Sequence, residues 1–341
     1  MADAELASAP PRRAAVRSET ALLVLGLAIL VLAPLAAQLL GEPFYIRLFT
    51  RIAIMAIAAV SLDLILGYGG MVSFGHAAFV GIGAYVTGIL AYHAASGEAL
   101  TTWPVVIHGS QNAFIVWPLA VGLAALAAFV IGLVSLRTTG IAFIMITLAF
   151  AQMLYFVAIA LQKYGGEDGL QMSERSRLFP LDLGDKLVFY YLVLAILVAV
   201  IAFCRRLVES PFGMVLRGCR QNERRMRAIG FPTYRYRLAA FVIAGALAGL
   251  AGILLANSQN YVSPADMAWT RSGELIVMVV LGGMGTLIGP VLGAAAYLLL
   301  ELLLGSFTTH WQAIFGPILI VIVLFARRGL YGALAGRPAD G

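Results

Sequence analysis

Ten apolar runs, most of them long enough to cross a lipid bilayer, constrain this 341-residue chain more than any other feature. They fall at about Ala21–Leu40, Ile52–Leu66, Phe74–His93, Val116–Leu136, Ile141–Leu161, Leu187–Cys204, Leu238–Ala256, Gly273–Met284, Ile288–Leu304 and Trp311–Ala326. Crossing the hydrocarbon core takes about 20 apolar residues as a helix, so the second and eighth runs are short. With no water there to serve the backbone, each run must satisfy its own N–H and C=O groups, which selects helix. The expected fold is an all-α polytopic integral membrane protein of about ten transmembrane helices, with room for broken or re-entrant segments. Composition agrees: 61% of residues are hydrophobic and only 12% charged, against about a quarter charged in a soluble domain.

The net charge of +6 does not indicate nucleic acid, because it sits in one place. Residues 205–237 carry nine arginines against Glu209 and Glu223, a net of +7, so the rest of the chain sums to about −1. Such a loop between spans marks the cytoplasmic face. The arginines before Ala21–Leu40 resemble a signal-peptide start, but that run is long enough to span and lacks a convincing cleavage site. It is read as a retained first helix with its N-terminus inside. Even-numbered spans then return to the cytoplasm, which puts both the basic loop and Arg327–Arg328 inside. The resulting division is a cytoplasmic tail (1–20), a transmembrane domain (21–326) containing the cytosolic loop 205–237, and a second cytoplasmic tail (327–341). The loop Gln162–Lys186 falls outside and is nearly neutral. Ala94–Ile115 is also outside, with Trp103 and His108 suited to an interface. Cys204 and Cys219 flank the reducing side and are expected as free thiols.

Two boundaries are unusual. Gly69-Gly70-Met71…Gly75 and Gly282-Gly283-Met284…Gly289 each interrupt an apolar run. They can be broken helices whose freed backbone lines a polar path, or tight turns between helices; both readings stay open. Asp63, one turn before Gly67, can brace the first break or face an aqueous cavity, and bracing is preferred. His76 is a site candidate because an intramembrane histidine is costly unless paired; the plainer reading is a helix-end histidine held by a neighbouring carbonyl. Gly75, Ala78, Gly81 and Tyr85 recur at helical spacing, and such small residues let membrane helices pack closely. Glu274 and Glu301 are read as interfacial. No nucleophile–base arrangement, metal-ligand set or phosphate-binding glycine loop is present, so the sequence argues against an enzyme, a metal centre or ATP binding by this chain.

The basic loop also carries helix signals. Ser210-Pro211 is a helix start, with Ser210 as N-cap and proline at the first helical position. Asn222-Glu223 can start a second short helix that Gly230 ends in the left-handed C-cap role, with Pro232 beyond. Phe212, Met214, Val215, Leu216, Met226 and Ile229 place apolar contacts among the arginines. This segment can seat in a groove of a cytosolic partner or lie on anionic lipid.

Together, Leu62-Asp63-Leu64-Ile65-Leu66-Gly67-Tyr68-Gly69-Gly70-Met71-Val72-Ser73-Phe74-Gly75-His76-Ala77-Ala78-Phe79, Arg137-Thr138-Thr139-Gly140 with Phe143, Gly165-Gly166-Glu167-Asp168-Gly169-Leu170 and Gly282-Gly283-Met284-Gly285-Thr286…Gly289-Pro290 carry a family likeness. From about Arg51 to Arg328 the chain resembles the LivM-type permease subunits of branched-chain amino acid ABC importers. The resemblance implies a pore subunit in the cell membrane that binds no cofactor itself. It also implies a LivH-like permease partner, two cytosolic ATPases that use ATP and Mg, and an extracytoplasmic solute-binding protein. Ser210, Pro211, Phe212, Gly213, Arg220, Asn222, Glu223 and Gly230 match the segment that seats in the ATPase. Path candidates are Asp63, Tyr68, Ser73, His76, Gly282, Gly283 and Gly285, and the outer block Gly165, Gly166, Glu167, Asp168 and Gly169 is the expected binding-protein surface. Asp63 departs from the family's usual asparagine, and Arg225 and Met226 stand where alanine is usual. Related permeases also serve urea, amides and other small solutes. The rival class is an ion-coupled secondary transporter with Asp63, His76 and Glu301 as a relay.

Overall fold

The computed structural model describes residues 30–32, 34, 43–101, 107–307, 310, 313–317 and 329–335. The expected first and tenth spans, the N-terminal tail and Trp103 therefore lie largely or wholly outside the described residues. The helices are α1 (Pro43–Asp63), α2 (His76–Ser96), α3 (Ala113–Ser135), α4 (Ile141–Ala160), α5 (Lys186–Glu209), α6 (Pro211–Ala228), α7 (Thr233–Gln259), α8 (Trp269–Gly282), α9 (Gly289–Phe307) and the short α10 (Gly329–Ala335). A π-helical turn, Leu64–Tyr68, prolongs α1. Two minimal antiparallel pairs, Ala99–Thr101 with Ile107–His108 and Leu170–Gln171 with Tyr261–Val262, close loops at one end.

Among the described residues, seven helices are long and apolar enough to cross a membrane, and the fold is a polytopic helical membrane protein. The second expected span is longer than its apolar run suggests, because α1 begins at Pro43 and continues through the π-helical turn. The eighth stays short: α8 has 14 residues, about 21 Å at 1.5 Å per residue, less than a bilayer core.

α7 is the central helix. It packs between α2 and α3, and alanine and glycine make that possible. A Cβ on Gly252 would lie 1.8 Å from the Val80 carbonyl oxygen, and one on Gly83 would lie 2.0 Å from that of Gly249. On the other side, Gly245 and Gly249 admit Ala128 and Ala124. Membrane helices gain little from hydrophobicity against one another, so close backbone approach supplies the attraction. Phe79 fills the space above, edge-on to Phe241. α3 and α4 instead turn large apolar side chains outward, among them Phe114, Leu126, Ile141 and Phe156.

The ends of the bundle differ. One end collects the end of α1, all of α6, the turn between α8 and α9, and α10. The other collects the two strand pairs and the segment 162–183, tied to α7 where Ser176 N donates to Asn257 Oδ1 at 2.7 Å. Gly252→Ala is expected to lower the melting temperature of the detergent-solubilised protein, since overpacking a tight contact costs about 1–3 kcal/mol. Gly122→Ala, on α3 with nothing within 4 Å of the added carbon, should leave it unchanged or slightly higher.

Candidate functional site

α6 is two short helices. Asn222 leaves helical geometry (φ −158°, ψ 96°), and its Oδ1 accepts from Arg225 N at 2.9 Å, so it caps the second piece. That piece ends on Gly230 at φ +96°, where Gly230 N donates to Arg227 O and Phe231 N to Met226 O. These two bonds form a Schellman motif, which needs the left-handed residue that glycine supplies. At the front, Pro211 takes the first helical position, but the Ser210 hydroxyl does not cap. It turns back to donate to Leu207 O at 2.6 Å. Gly213 packs directly under the backbone of Val208, where a Cβ would lie 2.2 Å from its carbonyl oxygen. Phe212 stacks obliquely on Tyr236.

Glu223 holds the second piece onto α7. Its carboxylate accepts from Arg227, from Thr233 Oγ1 at 3.2 Å and from Arg237 Nη1 at 3.0 Å. Burial pushes this carboxyl up, but the hydrogen bond from Arg227 and the charges of Arg237 and Arg227 outweigh it and hold it below the usual carboxylate range. Arg224 and Arg225, both exposed, make no ion pair among the described residues, and Met214 and Ile229 are exposed beside them. The surface offered outward is therefore cationic and apolar, while Glu223 is committed inward.

Arg220 reaches the other way. Its Nη1 donates to the carbonyl of Gly67 in the π-helical turn, and its stem lies along Gly70, where a Cβ would sit 2.9 Å from Arg220 Cγ. Gly67 in turn is wedged between Asp63 and Gly285: a Cβ there would fall 2.1 Å from Asp63 Oδ1 and 2.4 Å from Gly285 N. Gly285 N donates to Asp63 Oδ1 at 2.9 Å. Asp63 Oδ2 is buried and has no partner among the described residues. Both glycine clusters thus act as turns between helices, and they pack on each other under α6. Gly70 (φ +66°) and Gly285 (φ +75°) supply the reversals. In the second turn Thr286 Oγ1 donates to Gly283 O at 2.7 Å and accepts from Gly289 N at 3.1 Å. Gly282 lies under Gly289, and Gly283 touches Gly329 of α10. Asp63 braces rather than faces an open cavity: it is 1% exposed.

His76 is brought beside Ser61, not beside a carbonyl and not into this node. Its Nε2 lies 2.8 Å from Ser61 Oγ. The Ser61 hydroxyl also lies within hydrogen-bond distance of Ala58 O, at 2.7 Å. Nδ1 is buried without a partner among the described residues. Tyr68 is buried against the same bundle end, and Ser73 Oγ accepts from Gly75 N at 3.3 Å, shaping the approach to α2.

At the opposite end, the block from Gly165 to Gly169 is a rigid knot. Gly165, Gly166 and Gly169 all have positive φ (89°, 54° and 77°), and Tyr261 donates its hydroxyl to Asp168 O. Tyr164 is held by His93 Nε2 at 3.0 Å, and His93 Nδ1 meets Glu98 O at 3.0 Å. Glu167 and Asp168 stand exposed on top.

Sequence reading missed the pairing of Arg51 with Glu301 (3.2 Å) and of Arg271 with Glu274 (2.7 Å) and Asp266 (3.4 Å). Each of the two glutamates read as interfacial thus has an arginine partner, Arg51 for Glu301 and Arg271 for Glu274. The available signal was Arg51 itself, a cation directly before the Ile52–Leu66 run.

The bundle, with its glycine node under a cationic surface helix, is that of a polytopic membrane protein. Over residues 44–324 the sequence matches the family described as "Branched-chain amino acid transport system / permease component", and the chain belongs to it. It is 27% identical to the high-affinity branched-chain amino acid transport system permease protein LivM of Escherichia coli, covering 82% of this chain and 68% of that protein. It is also 27% identical to the probable LivM of Methanocaldococcus jannaschii (80% and 89%), and 24% identical to LivH of Salmonella typhimurium (81% and 91%). No solved structure matches it significantly.

Because the Glu223 carboxyl titrates lower folded than unfolded, its contribution is complete above the ordinary carboxylate pKa of about 4.3 and is lost as pH falls through the folded value. Hydrogen-exchange protection of the amides after Asn222 should hold from neutral pH down to that range and then drop. In Glu223→Gln it should be low throughout and flat with pH.

Proposed function

We propose that this chain is the LivM-like half of a heterodimeric pore in an ATP-driven importer of branched-chain amino acids. Its partners would be a LivH-like subunit, two ATPases on the face of α6 and a solute-binding protein on the face of Gly165–Gly169. The basic segment 205–237 is then cytosolic, as are both chain ends, following the positive-inside bias. ATP and Mg belong to the ATPases, and this chain supplies the path and the linkage.

The observation that carries this reading is the bond from Arg220 to Gly67. α6 exposes Arg224, Arg225 and Met214, with Ile229 exposed just past its end, and Arg220 turns its guanidinium onto Gly67. A push on α6 moves Arg220, and Arg220 moves the end of α1 together with the turn that Asp63 ties to it. An element that two sites bias in this way is what coupling between them requires. The π-helical turn is suited to such movement, since π segments mark functional irregularities in helices. Substrate selection would rest mainly with the binding protein, and the LivM and LivH likenesses favour leucine, isoleucine and valine over urea or amides.

The test is ATP-dependent uptake of radiolabelled leucine in liposomes by the complete system of two permease subunits, two ATPases and binding protein. Uptake should require ATP and binding protein; uptake that follows an ion gradient and ignores ATP would refute the proposal. Arg220→Ala should cut leucine moved per ATP by about tenfold or more, the scale of a typical coupling energy, with the complex still assembled. Arg220→Lys, which keeps charge but loses the planar fork, should fall between.

A further inference from the structure

Phe179, at the same end of the bundle as the glycine knot, keeps 88% of its surface exposed. It does not hang from a loose loop. Phe179 and Pro180 form the tip of a turn that Leu181 N closes by donating to Leu178 O at 2.6 Å. The limbs of this hairpin are tied: Arg175 Nη1 donates to Leu183 O at 2.5 Å, and its guanidinium lies over the ring of Phe189 at 5.0 Å. Ser176 N donates to Asn257 Oδ1. Leu183 is buried beneath the tip, and Leu181 is 46% exposed beside it.

A single exposed apolar residue needs no explanation, but a contiguous patch does, and this tip is part of one. Arg177 N donates to Gln111 O at 2.6 Å and Ala113 N to Arg177 O at 2.9 Å, which fastens the hairpin to the first residue of α3. Phe179 follows two residues later, at most about 7 Å along the chain. It lines an open hollow of about 750 Å³ together with Phe114 of α3 and Ala94 and Ala95 near the end of α2. The other limb runs into Lys186, the first residue of α5. Since α2, α3 and α5 are all candidate membrane spans, the tip stands where their apolar runs begin or end, at a bilayer boundary.

We infer that the hairpin 174–185 is a membrane anchor: Phe179 and Leu181 insert between the headgroups and acyl chains of the adjacent leaflet, beside Phe114 and Ile115. The α3 surface that continues from the tip has the character of a lipid face. Between Ala113 and Val134 there is no charged, hydroxyl or amide side chain. Ala120, Ala124 and Ala128 are buried against the bundle, while Phe114, Ile115, Leu119, Leu123 and Leu126 are exposed. Small residues mark the contacts between membrane helices, so the large ones on the far side are left for acyl chains. Arg175, Arg177 and Lys186 are matched by Glu174, Asp182 and Asp185, so headgroup charge does not draw the hairpin down and a neutral bilayer suffices. Interfacial segments of this kind bury their apolar side about 5–10 Å into the boundary. The anchor then sets the height of this bundle end, with Phe179 in lipid and the exposed Glu167 and Asp168 in water. It holds whichever solute the protein carries.

Phe179→Cys and, for comparison, Asp168→Cys are spin-labelled in the assembled complex in phosphatidylcholine liposomes. The wild type, whose Cys204 and Cys219 are buried, is labelled in parallel and its signal subtracted. Collision of each label with oxygen, which concentrates in lipid, is compared with collision with a water-soluble nickel chelate. The label at 179 should favour oxygen over nickel severalfold more than the label at 168 does, and added binding protein should leave that ratio unchanged. Equal ratios at the two positions would put Phe179 in water and overturn the inference. Low collision with both probes would mean that a neighbouring subunit covers the tip. Loss of nickel contact on adding binding protein would make the tip a protein-docking surface. Either result overturns the inference. Should Phe179→Cys fail to assemble, Leu181→Cys is read by the same outcomes.

Discussion

A helix end leaves its last carbonyls without intrahelical partners, and those that are buried need donors from the protein. At the end of α1 this chain meets the requirement three ways. Ile65 O accepts from Met71 N, Leu66 O from Gly70 N, and Gly67 O from Arg220. The third partner lies 153 residues away on a separate surface helix. Because an unmet buried carbonyl is costly, the end of α1 and the position of α6 depend on each other. The rest of that end of the bundle is built around this dependence. Asp63 folds over Gly67 to take Gly285 N, Gly285 needs a positive φ to present that N–H, and Gly283 sits under α10.

The same constraint explains the glycines. Gly67, Gly70 and Gly285 are not loose linkers: an added carbon at Gly67 would strike the Asp63 carboxylate and the Gly285 backbone, one at Gly70 the Arg220 stem, and Gly285 needs its positive φ. Close approach at these points lets three elements share one small volume. The link from α6 to the two turns is the Arg220 side chain, laid along Gly70 and bonded to Gly67 O. At the other end, the glycine knot before Leu170 is rigid for the same steric reasons and is held by Tyr261 and Tyr164.

How much of this was legible in the sequence depends on the range of the interaction. Spans such as Ile141–Ala160 follow from local hydropathy. The break at Asn222 and the stop at Gly230 follow from local hydrogen-bonding chemistry, and the structure draws both. The Ser210 hydroxyl went to Leu207 O instead of capping because the preceding helix ends within its reach. What periodicity cannot carry is contact between residues 150 to 250 positions apart: Arg220 with Gly67, Asp63 with Gly285, Arg51 with Glu301. Glu223 shows the same limit, since its charge marks a surface helix while its partners Arg237 and Thr233 turn it inward.

The central claim is that α6 and the two glycine turns move as one body. Spin labels at Gln221 on α6 and Leu287 in the second turn, with a third position at Leu123 on α3, test it by pulsed electron resonance in the assembled importer. Between the nucleotide-free and ATP-trapped states, the account predicts that the Gln221–Leu287 distance is unchanged while both distances to Leu123 shift. A change in Gln221–Leu287 with Leu287–Leu123 held constant would mean that α6 moves without the turns, and would contradict it.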